Sequence, residues 1–271
     1  MPTINVGDAE LHYRIDDFTD PWEPAETVLL HHGAGRHSGF WYSWIPLLSR
    51  QYRVLRFDAR GHGLSSKPEP GHQWDLETLS DDVVKLLDAL DVERVHYVGE
   101  SAGGLIGLLV ALDHANRLHS LTLCGGLFRA SRETQQHMGA GGQDWLPSLA
   151  QMGQREWVMQ TMHTRVDVEK MSPEFLAWFA DESAVVPQHV MENMVRCVAA
   201  TDLHDRLPDI GIPTLILAPE YSTVAPLHLQ RIMRRRIPDA RLVVLKGHRH
   251  AIVNTAPERC VRALLRFLQG L

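Results

Sequence analysis

Short apolar runs alternate with segments of helical periodicity along most of this 271-residue chain. Strands buried in a sheet give such runs, whereas an amphipathic helix repeats its apolar residues every three or four positions. Strands that alternate with helices in this way form parallel βαβ units. Strands are predicted over 11–15, 27–31, 53–57, 95–98, 118–124, 214–218 and 241–245, and helices over 76–91, after Ser101, over 226–237 and over 256–271.

The alternation stops between residues 128 and 207, a stretch that is rich in Trp, Met and His. We interpret this stretch as a helical cap over the sheet, so the expected organisation is an α/β core of residues 1–127 and 208–271 with a cap over 128–207. Bulky side chains in such a layer can line a pocket or simply pack on the sheet. The candidate substrate-binding residues are Trp145, Trp157, Met162 and Trp178, joined by Gly33 and Trp41 from the core.

Composition excludes several classes of partner. The net charge of -6 gives no basic surface for phosphates, so nucleic acid is not an expected partner. No run approaches the roughly 18 apolar residues of a membrane span, and the first residues lack the pattern of a secretory leader. We therefore expect a cytoplasmic protein without membrane contact, a monomer or homodimer that acts on a small-molecule substrate.

The strongest chemical motif is Gly99-Glu100-Ser101-Ala102-Gly103, between a predicted strand and a predicted helix. A sharp strand-to-helix turn needs small neighbours and exposes the central serine at the carboxyl edge of the sheet. Ser101 is thus the candidate nucleophile, and the amide of Ala102 can donate to an oxyanion. A serine hydroxyl also needs a base to remove its proton.

Two histidines, His248 and His250, follow the last predicted strand and compete for the role of base. Together with the serine motif, they make the chain resemble the α/β-hydrolase superfamily, especially small esterases and lactonases of the 3-oxoadipate enol-lactonase type. The resemblance implies a mostly parallel central sheet flanked by helices, a helical cap after the sixth strand, and no cofactor. In that family the base lies about seven residues before the proline of the final helix, which favours His250 before Pro257, with Gly247 as the turn glycine.

The resemblance extends to an HG turn after the second predicted core strand, at His32-Gly33. The amide of Ala34 is the expected second oxyanion donor, with Gly35 as a near alternative. A metal is not expected here, because adjacent strand residues such as His31 and His32 point to opposite faces. Asp58, in a second family-like loop, is expected to support the fold.

The third member of the triad departs from the family pattern. Relatives place an Asp in a G-x-x-D string after the strand that follows the cap, but this chain has Ser222 at the position of the Asp. Glu220 lies two residues earlier and is the leading candidate for the acid, because its longer side chain could reach His250. Glu100 usually points away from the base in this fold. A Ser-His dyad oriented by Ser222, a water or a backbone carbonyl stays open.

These residues predict hydrolysis of a carboxylic ester or lactone of a small, largely apolar molecule. The same scaffold also supports carbon–carbon bond hydrolases, lyases and cofactor-free oxygenases, and the missing Asp keeps those alternatives open. A receptor-like binding role is a third hypothesis. The serine, the histidine and the oxyanion turns speak against it, because a binding protein has no need of them.

Overall fold

The computed structural model describes residues 2–140 and 143–271. Its strands are β1 (Thr3–Asn5), β2 (Glu10–Asp16), β3 (Thr27–His31), β4 (Arg53–Phe57), β5 (Val95–Glu100), β6 (Leu118–Cys124), β7 (Thr214–Pro219) and β8 (Ala240–Leu245). All seven predicted strands are present. The additional strand, β1, has only three residues, which is too short to show an alternating pattern.

The strands form one sheet in the order β1-β2-β4-β3-β5-β6-β7-β8. From β3 to β8 neighbouring strands run parallel, whereas β1 pairs antiparallel with β2, and β2 antiparallel with β4. The carboxyl ends of the parallel strands therefore lie at the same edge. In open α/β sheets this edge is where ligands bind.

Helices cover both faces of the sheet. Along β3, Leu29 packs into one buried apolar cluster, while Val28 and Leu30 pack into another, as alternating strand side chains should. The first cluster includes helices α2 (Leu76–Ala89), α3 (Ala102–Asp113) and α10 (Leu227–Arg236), and the second includes α1 (Ile45–Leu48), α11 (Ile252–Thr255) and α12 (Pro257–Leu268). Short 3₁₀ turns occupy Ser38–Trp41, Ala115–Arg117, Val168–Lys170 and His204–Asp209.

A layer of helices lies between β6 and β7, as expected from the loss of strand-like pattern there. We call this layer the inserted helices: α4 (Arg132–His137), α5 (Trp145–Met152), α6 (Gln154–Gln160), α7 (Met162–Arg165), α8 (Pro173–Ser183) and α9 (Gln188–Ala200). Helices α5 and α6 pack on each other through the stacked rings of Trp145 and Trp157, whose centroids are 6.3 Å apart. None of the helices in the described part of the chain has both the length and the apolar character of a membrane span.

Candidate active site

Ser101 sits on a strained turn between β5 and α3. Its φ of 52° lies in the left-handed region, which non-glycine residues rarely adopt. A Cβ added to Gly99 would lie 2.4 Å from the Gly103 carbonyl oxygen, and one added to Gly103 would lie 2.5 Å from that of His32. The two glycines of the motif are therefore required by close backbone approach, and they hold the serine hydroxyl at the carboxyl edge.

The structure brings His250 to this serine. His250 follows β8, its side chain is buried, and its Nε2 lies 3.0 Å from Ser101 Oγ. The competing histidine, His248, instead accepts a hydrogen bond from Arg259 at 3.0 Å, on the exposed side of the loop. Of the two predicted candidates, only His250 is placed to exchange a proton with Ser101.

A serine hydroxyl occupies the position that an acid would hold. Ser222 Oγ lies 3.1 Å from His250 Nδ1 and accepts a hydrogen bond from the Ala225 amide at 2.9 Å. When Nε2 is free to accept the Ser101 proton, Nδ1 carries the hydrogen and donates it to Ser222. Ser222 therefore fixes the ring in the tautomer of a base without adding a negative charge.

The expectation that Glu220 would orient His250 is corrected. Its carboxylate accepts a hydrogen bond from the amide of Gly247 at 2.9 Å, and among the described residues it makes none with the histidine. Gly247 has a φ of 81° and turns the chain after β8, so the carboxylate stabilises that turn. A glutamate at the strand end is close in sequence to the expected acid position, but its side chain is used by the neighbouring loop.

Three hydrogen bonds hold the loop after β3, which contains His32, Gly33 and Ala34. His32 Nδ1 donates to the Gly33 carbonyl at 2.8 Å, its Nε2 accepts from the Ala59 amide at 2.9 Å, and the Gly33 amide donates to Glu100 Oε2 at 3.1 Å. Ala34 and Ala102 line the cavity in front of Ser101. Over residues 2–140 and 143–271, neither of their amides donates a hydrogen bond, which leaves both free for an oxyanion.

The histidines and aspartate of the neighbouring loops have structural roles. His31 Nδ1 pairs with the Tyr97 hydroxyl, and with His32 engaged as above, the two adjacent imidazoles share no ligand site. Asp58 accepts hydrogen bonds from the amides of Ser38 and Leu64 at 2.7 and 2.8 Å. The aspartate thus joins two loops behind the site, as the sequence predicted.

Only part of the predicted binding set lines the cavity. Gly33, Trp145 and Trp157 do, together with apolar residues that were not singled out: Leu127, Met138, Met191, Val198 and Val224. Trp41 packs edge-on against Trp44 in the buried cluster that contains α12, and Met162 is buried in the other cluster. Trp178 lines a separate surface groove with Tyr42 and Phe175. The structure therefore does not bring Trp41, Met162 and Trp178 to the cavity beside Ser101.

Two buried arginines in the cavity wall were missed by the sequence analysis. Arg36 Nη1 lies 2.7 Å from Glu100 Oε1, and its guanidinium lies over the ring of Phe179. The guanidinium of Arg165 is 4.6 Å from the centre of the Trp157 ring.

Burial shifts the pKa values of the ionisable groups in this wall. It lowers the pKa of Arg165 to about 9 and raises the pKa of Glu100, whose charged form is stabilised by Arg36. Burial, together with the charges of Arg36 and Arg165, lowers the pKa of His250 to about 3, so the imidazole is neutral at physiological pH.

Comparison with known proteins identifies the family of this chain. The family model described as "alpha/beta hydrolase fold" matches residues 26–257. The chain belongs to the α/β-hydrolase family. As an α/β-hydrolase, it has the mostly parallel sheet and flanking helices that the resemblance implied, and that fold prediction is confirmed.

Relatives of this α/β-hydrolase match nearly the whole chain. A putative carbamate hydrolase RutD of Caulobacter vibrioides is 29% identical over 100% of both chains. The 3-oxoadipate enol-lactonase 1 of Acinetobacter baylyi is 26% identical over 92% of this chain and 91% of the relative. The crystal structure of the enol-lactonase from Burkholderia xenovorans LB400 superposes with a TM-score of 0.89 at 26% identity, covering 99% of this chain and 100% of that one. The protein is therefore a hydrolase, and it is an α/β-hydrolase of the lactonase type.

The buried histidines of the hydrolase make its stability depend on pH. Burial lowers the pKa of His31 and His250 to about 3 and that of His62 to about 4, and it holds the pKa of His32 well below its usual range. Histidines of an unfolded chain protonate near pH ~6.5, so below that pH the unfolded state binds protons that the folded state excludes. The free energy of unfolding must therefore fall as the pH falls from about 6.5 towards 4.

We expect this loss to be about 1.4 kcal/mol per pH unit for each histidine that protonates only on unfolding. Urea unfolding followed by circular dichroism at about pH 7, 6 and 5 measures the slope. Replacement of one of the four histidines, His62→Gln, should reduce the dependence of the unfolding free energy on pH by the contribution of one histidine. Equal unfolding free energies at about pH 7 and 5 would contradict the prediction.

Proposed function

We propose that the enzyme hydrolyses a carboxylic ester or lactone of a small molecule through an acyl-enzyme on Ser101. The proposal rests above all on the 3.0 Å contact between Ser101 Oγ and His250 Nε2. The amides of Ala34 and Ala102 in the same cavity support it, because neither has an acceptor in the described part of the chain and both could donate to an oxyanion.

In the proposed reaction, Ser101 Oγ attacks the carbonyl carbon while His250 Nε2 takes the hydroxyl proton. The carbonyl oxygen becomes an oxyanion and accepts hydrogen bonds from Ala34 and Ala102. When the intermediate collapses, the bond to the leaving oxygen breaks and His250 returns the proton to that oxygen. A water molecule, deprotonated by the same imidazole, then attacks the acyl-enzyme, releasing the carboxylic acid and the Ser101 hydroxyl.

The environment of His250 favours activated substrates. Ser222 orients the ring without a negative charge to stabilise the imidazolium, and nearby arginines lower the pKa of the ring further. Loss of the orienting carboxylate in a comparable triad costs about 10⁴-fold in turnover, roughly 5 kcal/mol of transition-state stabilisation. We infer that the preferred bond has a good leaving group, as in an enol ester, an aryl ester or a strained lactone.

The inserted helices support the assignment of residues 128–207 as a cap over a core of 1–127 and 208–271. Trp145, Trp157 and Met191 of this layer line the same cavity as Ser101 and make much of its wall apolar. Such a lid excludes water from the reacting carbonyl and strengthens each polar contact inside. A small, partly apolar molecule is therefore the proposed substrate.

Carbamates are a second candidate class, because relatives that match more than nine-tenths of the chain carry the name putative carbamate hydrolase. A carbamate carbonyl is less electrophilic than that of an ester, since the nitrogen donates electrons to it. A base as weak as His250 therefore favours the ester or lactone. Turnover of a phenyl ester and of the matching phenyl carbamate, measured side by side, ranks the two classes.

A fluorophosphonate probe tests the proposed nucleophile directly. We expect one covalent adduct per folded chain by intact mass, with the modified peptide containing Ser101. The adduct should be absent from Ser101→Ala and retained in Ser172→Ala, a matched change of an exposed serine at the start of α8. An unlabelled folded wild type, or an adduct that survives Ser101→Ala, would show that Ser101 is not the nucleophile.

A further inference from the structure

One face of helix α8 borders a surface groove that is separate from the catalytic cavity. Glu174, Trp178 and Glu182 follow one another at intervals of four residues, so the helix places them on the same face, and Phe175 lies about one turn before Trp178. This face and Tyr42, which follows the 3₁₀ turn Ser38–Trp41, line a groove of about 490 Å³ that we call the α8 groove. Its lining shares no residue with that of the catalytic cavity.

Three aromatic rings form adjoining walls of the α8 groove. The rings of Tyr42 and Trp178 stand at 86° to each other with their centroids 5.6 Å apart, and the ring of Phe175 is tilted against Trp178 with a centroid distance of 5.9 Å. The buried ring of Phe40 packs on Trp178 at 4.9 Å and helps to fix its position. Tyr42 is nevertheless 53% exposed, so the rings are open to a ligand.

The lining of the α8 groove carries negative charge. Glu174 and Glu182 line it, and no lysine or arginine of the described residues does. His37 Nε2 donates to Glu182 Oε2 at 2.7 Å, while its Nδ1 accepts a hydrogen bond from the Gly39 amide at 3.1 Å. An imidazole whose Nδ1 accepts a hydrogen bond is neutral. His37 therefore orients the Glu182 carboxylate without cancelling its charge.

The cations that contact the surroundings of the groove are already paired. Arg36 lies over the ring of Phe179, but its guanidinium is 2.7 Å from the carboxylate of Glu100 in the wall of the catalytic cavity. On the exposed side of α8, Arg155 pairs with Asp181 at 2.7 Å. The α8 groove thus combines exposed aromatic rings with carboxylates that have no arginine or lysine partner within residues 2–140 and 143–271.

A quaternary ammonium group fits this combination. The faces of aromatic rings carry the negative part of the ring quadrupole and attract such a cation. Because a quaternary ammonium has no N–H donor, it needs none of the acceptor oxygens that a primary ammonium or a guanidinium requires on leaving water. Glu182 already accepts a hydrogen bond from His37, so ring faces and net charge are what the groove offers.

We propose that the α8 groove is a second binding site, which holds a quaternary ammonium group between the rings of Tyr42, Phe175 and Trp178. Glu174 and Glu182 would attract the cation through their charges. The ligand would contact both layers, since Tyr42 belongs to the core and the other four residues belong to the inserted helices. A small organic cation is distinct from the proposed ester or lactone, so this inference does not depend on the proposed hydrolysis.

A pair of ligands tests whether the α8 groove selects for charge. Choline and 3,3-dimethylbutan-1-ol have nearly the same shape, but only choline is positively charged. In proton NMR titrations of the full chain, we expect choline to bind about tenfold more tightly than the neutral alcohol. Its methyl signal should move upfield, because ring faces shield it. A rise in salt concentration from about 20 mM to about 500 mM should weaken the binding of choline only.

Replacement of the rings locates the site. Trp178→Leu should weaken choline binding by about tenfold and Tyr42→Leu by about threefold, because each removes a ring face from the cation. Since Trp178 packs on buried neighbours, thermal melting checks its folding, and the exposed Tyr42 gives an independent test. Trp22→Leu is the matched control, because it removes a tryptophan that is 75% exposed outside the groove and should leave the affinity unchanged.

Replacement of a carboxylate tests the contribution of charge. Glu182→Gln keeps an oxygen that can accept the hydrogen bond from His37 but removes the negative charge. We expect choline to bind about threefold more weakly at low salt, with the affinity for the neutral alcohol unchanged. Glu156→Gln, a change of an exposed glutamate on α6 outside the groove, should alter neither affinity.

The outcomes separate this inference from the proposed function. Equal affinities for choline and the neutral alcohol would overturn the cation site, and so would the absence of a saturable shift below about 100 mM choline. Choline binding that survives both Trp178→Leu and Tyr42→Leu would also overturn it, because the ligand would then lie elsewhere. Ser101→Ala should bind choline as wild type does, so a failure of ester hydrolysis leaves the result unaffected.

Discussion

Replacement of Ser101 by alanine is expected to lower kcat for an activated ester by about 10⁴-fold or more. The variant keeps the oxyanion amides and the cavity but has no oxygen that can form the acyl-enzyme. Residual turnover would come from water activated by His250 in a site that still binds the transition-state oxyanion. Initial rates with 4-nitrophenyl acetate, corrected for the uncatalysed reaction, measure the loss.

His250→Gln provides the companion measurement. If the two side chains act as one unit, this variant should lose about as much as Ser101→Ala, and the double variant should lose little more than either. Circular dichroism and thermal melting confirm that each variant is folded. A Ser101→Ala enzyme that keeps more than about a hundredth of wild-type turnover would mean that hydrolysis follows another route.

The nucleophile turn could be predicted because local physics determines it. Gly99 and Gly103 are needed by close backbone approach around Ser101, and this requirement is visible as a short motif between a strand and a helix. His250 was favoured by the resemblance, which implies a base about seven residues before the proline of the final helix, and the structure has His250 in the short segment between β8 and α12. These features depend on neighbours in sequence.

The orienting group and the cavity wall depend instead on contacts between distant segments. Glu220 was favoured over Ser222 because a carboxylate is the better orienter, but side-chain direction at the end of β7 decides which of them meets His250. Arg165 lies in a helical segment, where an arginine usually indicates a solvated face. Its burial follows from tertiary packing: the Arg165 carbonyl accepts a hydrogen bond from the distant Ala251 amide at 2.8 Å, a contact that the local pattern does not encode.

The same limit applies to the positions of the tryptophans. Any helical layer buries large side chains, and a single sequence does not show whether the buried face meets a cavity or another helix. Trp145 and Trp157 line the cavity. Trp178 instead lines a separate groove, and its ring centroid lies 4.9 Å from that of Phe40. Residue type predicted burial correctly for most of these positions, but it does not show which of them line the cavity.

A gain of function is expected from Ser222→Asp. An aspartate at this position would accept the Nδ1 hydrogen of His250 and stabilise the imidazolium that forms when Ser101 attacks. It would also raise the pKa of the imidazole from the low value that burial and the two arginines impose. Since loss of the carboxylate in a comparable triad costs about 10⁴-fold, we expect kcat to rise by roughly 10²-fold, with 10⁴ as the upper bound.

The site can hold this added carboxylate. The Ala225 amide, which donates to Ser222 Oγ at 2.9 Å, would donate to one carboxylate oxygen, and the charges of Arg36 and Arg165 would offset part of the desolvation cost. Ser222→Asn is the matched control, because it has nearly the same shape without the negative charge. If Asp and Asn change kcat equally, shape and not charge limits the wild-type enzyme. If Asp alone raises kcat, the missing carboxylate is what restricts this hydrolase to activated bonds.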